Sequence, residues 1–135
     1  MRLLLIGSLP PPLGGTVVSF AQLVRELRER DDVQVDVLDT SRGGRTGWTE
    51  DLLVALRILV RVPFQLGSVD VVTFHASTPA TVLFAPLLAV LCAIWRRPLV
   101  IREFGGSFDA DFAALPAPCR RTVGCALRRA WLLFQ

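Results

Sequence analysis

Residues 2–16 read Arg2-Leu3-Leu4-Leu5-Ile6-Gly7-Ser8-Leu9-Pro10-Pro11-Pro12-Leu13-Gly14-Gly15-Thr16. Leu3 to Ile6 is a short, unbroken apolar run, the pattern of a strand buried on both faces of a parallel sheet. A loop rich in Pro and Gly follows it. Beyond the loop, Val17, Phe20, Ala21, Val24 and Leu27 recur at helical spacing as far as Arg30, while Arg25, Glu26, Arg28 and Glu29 mostly take the other side. A buried strand, a glycine turn and an amphipathic helix open an α/β domain.

The rest of the chain repeats that alternation. Val33, Val35 and Val37 alternate with polar residues, which suits a strand nearer a sheet edge. Ser41 to Trp48 is a loop, and Thr49 then offers an N-cap with Glu50 and Asp51 in the first turn. That helix is predicted to run to Val62 and stop at Pro63. Val69 to Phe74 is the third strand. Thr78-Pro79 looks like an N-cap followed by Pro at the first helical position. The next helix is apolar almost all round and therefore buried; Pro86 is placed to kink it and Arg96-Arg97 to close it. Pro98 to Arg102 begins the fourth strand, and a polar, Gly-containing loop follows.

Cys119 to Gln135 reads as a last amphipathic helix. Arg120, Arg121, Arg128 and Arg129 spread over one side, with Val123, Ala126, Leu127, Ala130 and Phe134 on the other. The pattern reaches Gln135 without a Gly, Asn or Pro stop, which predicts a domain incomplete at its C-terminus. The expected fold is a single Rossmann-like α/β domain over 1–135: a doubly wound parallel sheet with helices on both faces.

Composition narrows the function. The hydrophobic fraction is 52% and the mean hydropathy is +0.49, high for a free-standing domain, so apolar surface is left over for a second domain or a membrane. All 15 basic residues are Arg, and the net charge is +3. Arg suits phosphate because its fork binds two oxygens at once, although codon usage also produces such a bias. The charge is too mild, and too little interleaved with aromatics, for a nucleic-acid partner. Cys92, Cys119 and Cys125 form no C-x-x-C pair and His75 is the only His, so no metal site is expected. An odd cysteine count with no secretory leader fits a reducing cytosol. The uncharged stretch from His75 to Trp95 has a transmembrane interpretation, but Thr78, Pro79, Thr81 and Pro86 interrupt it and a strand followed by a helix explains it.

In a doubly wound sheet, ligands bind where loops leave the C-terminal ends of the strands. Four loops share that edge: Gly7–Gly15, Asp39–Thr46, His75–Ser77 and Glu103–Phe108. Gly14, Gly15 and Thr16 open a helix, where free N–H groups favour an anion. The glycine pair has two explanations: a phosphate cradle, or a tight turn that needs positive φ. The nicotinamide fingerprint G-x-G-x-x-G fails because prolines fill the turn, although Asp36 or Asp39 stands about 20 residues on. The Walker loop fails for want of a Lys. His75 could bond a sugar hydroxyl or phosphate, transfer a proton, or be structural. Glu103 could act on a ligand or cap the next helix, and Gly105-Gly106-Ser107 again permits a close backbone approach. Asp109 and Asp111 suit a solvated helix start. The C-terminal arginines suit a solvated face or anionic lipid.

Taken in order, these motifs resemble the opening of family 4-type glycosyltransferases of the GT-B fold. They are Arg2–Gly7, Pro10–Gly15, Asp39-Thr40, His75-Ala76-Ser77 and Phe104-Gly105-Gly106-Ser107-Phe108, and they span nearly the whole chain. The resemblance implies a retaining transfer of sugar from a nucleotide-sugar to an acceptor. This domain would bind the acceptor, polysaccharide or lipid-linked, and Gly14 and Gly15 would face the donor diphosphate. Ser77, Gly105, Gly106 and Ser107 would line the same cleft, with His75 and Glu103 as catalytic candidates. It implies no metal and no cofactor beyond the nucleotide-sugar co-substrate. It also implies a cytoplasmic setting, extending to the inner face of the plasma membrane. Two departures matter. Where many members carry a His before the second glycine pair, this chain has Phe104. The nucleotide-sugar-binding half of such enzymes is absent, so a second domain or partner chain is expected and the chain alone should be inactive. The alternatives are a dinucleotide-binding oxidoreductase domain and a non-catalytic membrane-associated module.

Overall fold

The computed structural model describes residues 1–11, 13–42, 47–104 and 108–134. Among these residues there are five strands: β1 (Arg2–Gly7), β2 (Gln34–Asp39), β3 (Val71–Ala76), β4 (Leu99–Glu103) and β5 (Trp131–Phe134). They alternate with α1 (Gly15–Arg28), α2 (Trp48–Leu66), α3 (Thr78–Ile94) and the pair α4 (Phe108–Ala114) and α5 (Ala117–Leu127). The strands form one sheet in the order β2-β1-β3-β4-β5, and every pairing is parallel. This is the expected Rossmann-like, doubly wound α/β fold.

Strand β1 organises both layers. Successive side chains of a strand point to opposite faces, and β1 is apolar at every position from Leu3 to Ile6. Leu4 and Ile6 join Leu38, Val72, Phe74, Leu99 and Ile101 in a core shared with α2, α3 and α5. Leu3 and Leu5 turn the other way and meet Phe20 and Val24 of α1. Helix α2 enters the larger core through Val54, Ile58, Val62 and Leu66, a strict four-residue repeat. Among the described residues, no helix is long and apolar enough to cross a membrane.

Several boundaries differ from the sequence-based expectation. Helix α2 starts one residue before Thr49, with Gly47 as N-cap at φ 154°, a conformation glycine adopts without strain. It also continues through Pro63 to Leu66. The ring removes one helical bond, but Val62 and Leu66 are fully buried on either side of it and hold the last turn down. Arg97 then donates from Nε to the Leu66 carbonyl at 2.9 Å and from Nη2 to the Gly67 carbonyl at 3.3 Å, serving carbonyls the helix end leaves open. Ser77 rather than Thr78 is the N-cap of α3. Strand β3 begins and ends two residues later than expected, which places His75 and Ala76 inside it.

The largest correction concerns the C-terminus. The segment expected as one helix to Gln135 ends its helix at Leu127 and forms β5, parallel to β4 from Val100↔Trp131 to Glu103↔Phe134. Trp131-Leu132-Leu133-Phe134 is a four-residue apolar run, and such a run fits either period. Pairing with β4 satisfies one edge of its backbone, and Leu132 packs against the larger core. The absence of a helix stop signal is thereby explained without an unfinished helix.

One close contact ties the cleft end of β1 to α1. A Cβ added at Gly7 would lie 2.9 Å from three ring carbons of Phe20, whose side chain is buried. Gly7→Ala should therefore destabilise the fold by about 1–3 kcal/mol through overpacking. Leu13→Ala, at a side chain 81% exposed, should stay within roughly 0.5 kcal/mol. Urea denaturation midpoints of the two variants check the difference.

Candidate functional site

The strand order fixes where a ligand fits. From β1 the chain moves to β2 on one side, and from β3 it moves to β4 on the other. The loops at the C-terminal ends of β1 and β3 therefore diverge, and a crevice opens between them. A cleft of about 400 Å³ occupies that place, within the size of small-molecule sites. One wall is Ser8 and Leu9 after β1 with Thr16, Val17 and Phe20 of α1. Thr40, Ser41 and Arg42 follow β2. The far wall is Phe74 to Ser77 of β3 and its loop, with Pro79, Ala80 and Phe84 of α3, and Phe104 after β4.

Thr16, His75 and Ser77, all singled out from the sequence, meet in this cleft. Gly14 and Gly15 stand at the entrance to α1 beside it. Gly105, Gly106 and Ser107 lie outside the described residues.

The geometry separates the two explanations of the glycine pair. Gly14 is extended at φ −160° and Gly15 is the first residue of α1, so neither is held at positive φ. A Cβ at either position meets no described atom within 4 Å. Among the described residues neither backbone strain nor packing calls for glycine there; what glycine keeps clear is the space outside. The ladder of α1 begins with Val18 N donating to Gly14 O at 2.9 Å. The amides of Gly15, Thr16 and Val17 precede it and have no acceptor within the helix.

Carboxylates are distributed to match. Helix α2 has Glu50 and Asp51 in its own first turn. Helix α3 has Glu103 against its first turn. Thr78 Oγ1 donates to Glu103 Oε1 at 2.9 Å, and Thr81 Oγ1 donates to Oε2. Helix α1 has no acid in its first turn and no side-chain cap, and among the described residues the cleft lining holds no carboxylate, with Arg42 its single formal charge. Arg42 is itself paired with Asp51 at 2.5 Å, so what favours an anion here is the uncompensated N-terminus of α1.

Glu103 is thus held away from the cleft. It is 2% exposed and shares the α2–α3 face of β4 with Leu99 and Ile101. Asp39 is likewise committed to the fold. Its Oδ1 accepts from the amides of Leu9 at 3.1 Å and Ser41 at 2.8 Å, and its Oδ2 accepts from Ser41 Oγ at 2.8 Å. It binds the β1 and β2 loops together, the place where a dinucleotide-binding domain would offer its acid to a ribose. Asp36 pairs with Arg2 at 3.7 Å. Among the described residues no cluster of His, Cys, Asp or Glu could hold a metal ion.

His75 sits on the α1 side of β3. Its ring centroid lies 4.9 Å from that of Phe20 and 6.3 Å from that of Phe104, and Arg102 lies 5.0 Å from the Phe104 centroid. These aromatic flanks were not evident in the sequence; Phe20 reads there only as a core position. Nε2 pairs with Thr73 Oγ1 at 3.2 Å, and buried Nδ1 has no partner among the described residues. Burial, with Arg102 adding to it, pushes the imidazole down from 6.5 to about 4. At neutral pH His75 is an uncharged hydrogen-bonding group, better matched to a hydroxyl than to a phosphate.

This shift has a stability consequence. Below pH 6.5 the unfolded chain takes up a proton that native His75 refuses until about pH 4. Stability is therefore lost as pH falls through that window, at no more than about 1.4 kcal/mol per pH unit, and His75→Gln should remove this part of the loss. Because the sequence has one histidine, its ring proton resonances are unambiguous and should titrate with a midpoint near 4. No protein-family model matches the chain, and no curated protein matches it in sequence.

Proposed function

We propose that this chain is the acceptor-side N-terminal domain of a retaining glycosyltransferase that moves a sugar from a nucleotide-sugar to an acceptor. The observation that carries the proposal is the start of α1. Among the described residues it opens beside the cleft with amides that have no acceptor in the helix, no carboxylate, and two glycines that no contact requires. Such a terminus suits a diphosphate that approaches from outside.

The remainder of the cleft suits sugar. Ser8, Thr16, Thr40, Ser41 and Ser77 offer hydroxyls, and neutral His75 offers a ring nitrogen. The aromatic and aliphatic wall from Phe74, Phe84 and Phe104 supplies apolar area. On this proposal the diphosphate charge falls to the α1 amides rather than to a metal ion, with Arg42 shared with Asp51, and Asp39, already occupied, disfavours the oxidoreductase alternative. A second domain or partner chain would close the cleft and hold the nucleotide. The reaction would take place on the cytoplasmic side, at the inner membrane face where an acceptor is lipid-linked.

The test is a titration with pyrophosphate followed by amide resonances. Those of Gly15, Thr16 and Val17 should move. The double variant Gly14→Val, Gly15→Val should weaken the pyrophosphate response about tenfold, or ~1.4 kcal/mol. It should stay folded, because the added side chains enter open space. Unmoved α1 amides, or a response indifferent to the two valines, would refute the proposal.

A further inference from the structure

Away from the cleft, the outer side of α2 and α3 is apolar where a solvated helix carries charge. On α2, Leu52, Leu56, Val60 and Phe64 recur every four residues and are 59%, 54%, 52% and 85% exposed. The core-facing series Val54, Ile58, Val62 and Leu66 lies on another side of the same helix. Helix α3 contains no charged residue and exposes Leu83, Val90 and Ile94. Both helices cover the same face of the sheet. The apolar surface continues into a groove of about 290 Å³ between α3 and α5, walled by Pro86, Ala89, Val90 and Ala126, with Arg129 beside them.

The charge around this surface is mostly positive, the exceptions being Glu50 and Asp51 in the first turn of α2 and Asp109 and Asp111 on α4. From Leu52 onward the sequence has nine arginines and four acids, whereas residues 1–51 have six arginines and eight acids. Of those four later acids, Glu103 is buried and Asp70 accepts the Arg2 amide at 2.8 Å. No acid follows Asp111. Arg61, Arg96, Arg120, Arg121 and Arg129 are exposed. A second copy of the chain on this face would bring a surface with more arginines than carboxylates against its like. An apolar plane rimmed by cations complements an anionic bilayer, whose acyl boundary takes the side chains and whose phosphates take the guanidinium groups.

We propose that the α2–α3–α5 face seats this protein on an anionic lipid surface. Leu56, Val60, Phe64 and Val90 enter the acyl boundary, and Arg61, Arg121 and Arg129 meet headgroup phosphates. The seat is separate from the cleft, so vesicle binding and pyrophosphate binding can fail independently.

The test is co-sedimentation of the full chain with vesicles of phosphatidylglycerol and phosphatidylcholine. Binding should weaken as salt rises. Leu56→Glu with Val60→Glu should lower partitioning about tenfold or more, while Leu133→Glu, at an exposed position of β5 on the opposite face, should leave it unchanged. Amide spectra matching the parent would show that the double variant is folded. The proposal is overturned if the double variant binds as the parent does, or if pure phosphatidylcholine binds equally well. It is also overturned if sedimentation velocity shows a dimer that the two glutamates dissociate, which would make the face a protein interface.

Discussion

Strand β1 is buried on both faces, and the arrangement of every other element answers to that. Four consecutive apolar side chains, Leu3 to Ile6, need cover above and below the sheet. Helix α1 supplies it on one side, and α2 with α3 on the other. The strand also needs a neighbour at each edge, which β2 and β3 provide. Sending the chain first to one edge and then to the other separates the two loops and creates the cleft. The site is thus a consequence of how the central strand is covered, and no lining residue had to be strained to make it.

The acids at the strand ends illustrate a division of labour. Asp39 ends β2 and Glu103 ends β4, both at the edge where ligands bind in such folds. Each is spent on the scaffold instead: Asp39 knots two loops together, and Glu103 receives two threonine hydroxyls from α3. A buried carboxylate without such donors would be costly. With both acids turned inward, the cleft keeps the positive character of the α1 N-terminus, and Arg42 is balanced by Asp51.

Much of this was legible in the sequence. The two periodicities separated strands from helices, and the position of β1 and the edge character of β2 followed from apolar runs and alternation. The ends of elements were less legible. An apolar run shows that a segment is buried but not where its hydrogen-bond ladder stops, so β3 lay two residues later than read. Pro63 and β5 depended on tertiary packing, since burial of Leu66 and pairing with Val100 to Glu103 outweigh local signals. At the site, Thr16, His75 and Ser77 could be found because strand ends share one edge. Glu103 could not be oriented, because which side of β4 it faces depends on the register with β3, and Phe20 and Phe104 come together around His75 only in three dimensions.

Along β3 the two kinds of position are interleaved: Val72 and Phe74 belong to the larger core, while Thr73 and His75 pair on the α1 side. A deletion of one residue within this strand would exchange the sets, driving an imidazole into the hydrocarbon layer and a phenyl ring onto α1. Exchange of single side chains can retune the mouth of the cleft gradually, but a change of strand length cannot. Descendants of this sequence are therefore free to diverge by replacement within β3 and by insertion only where the chain has left the sheet.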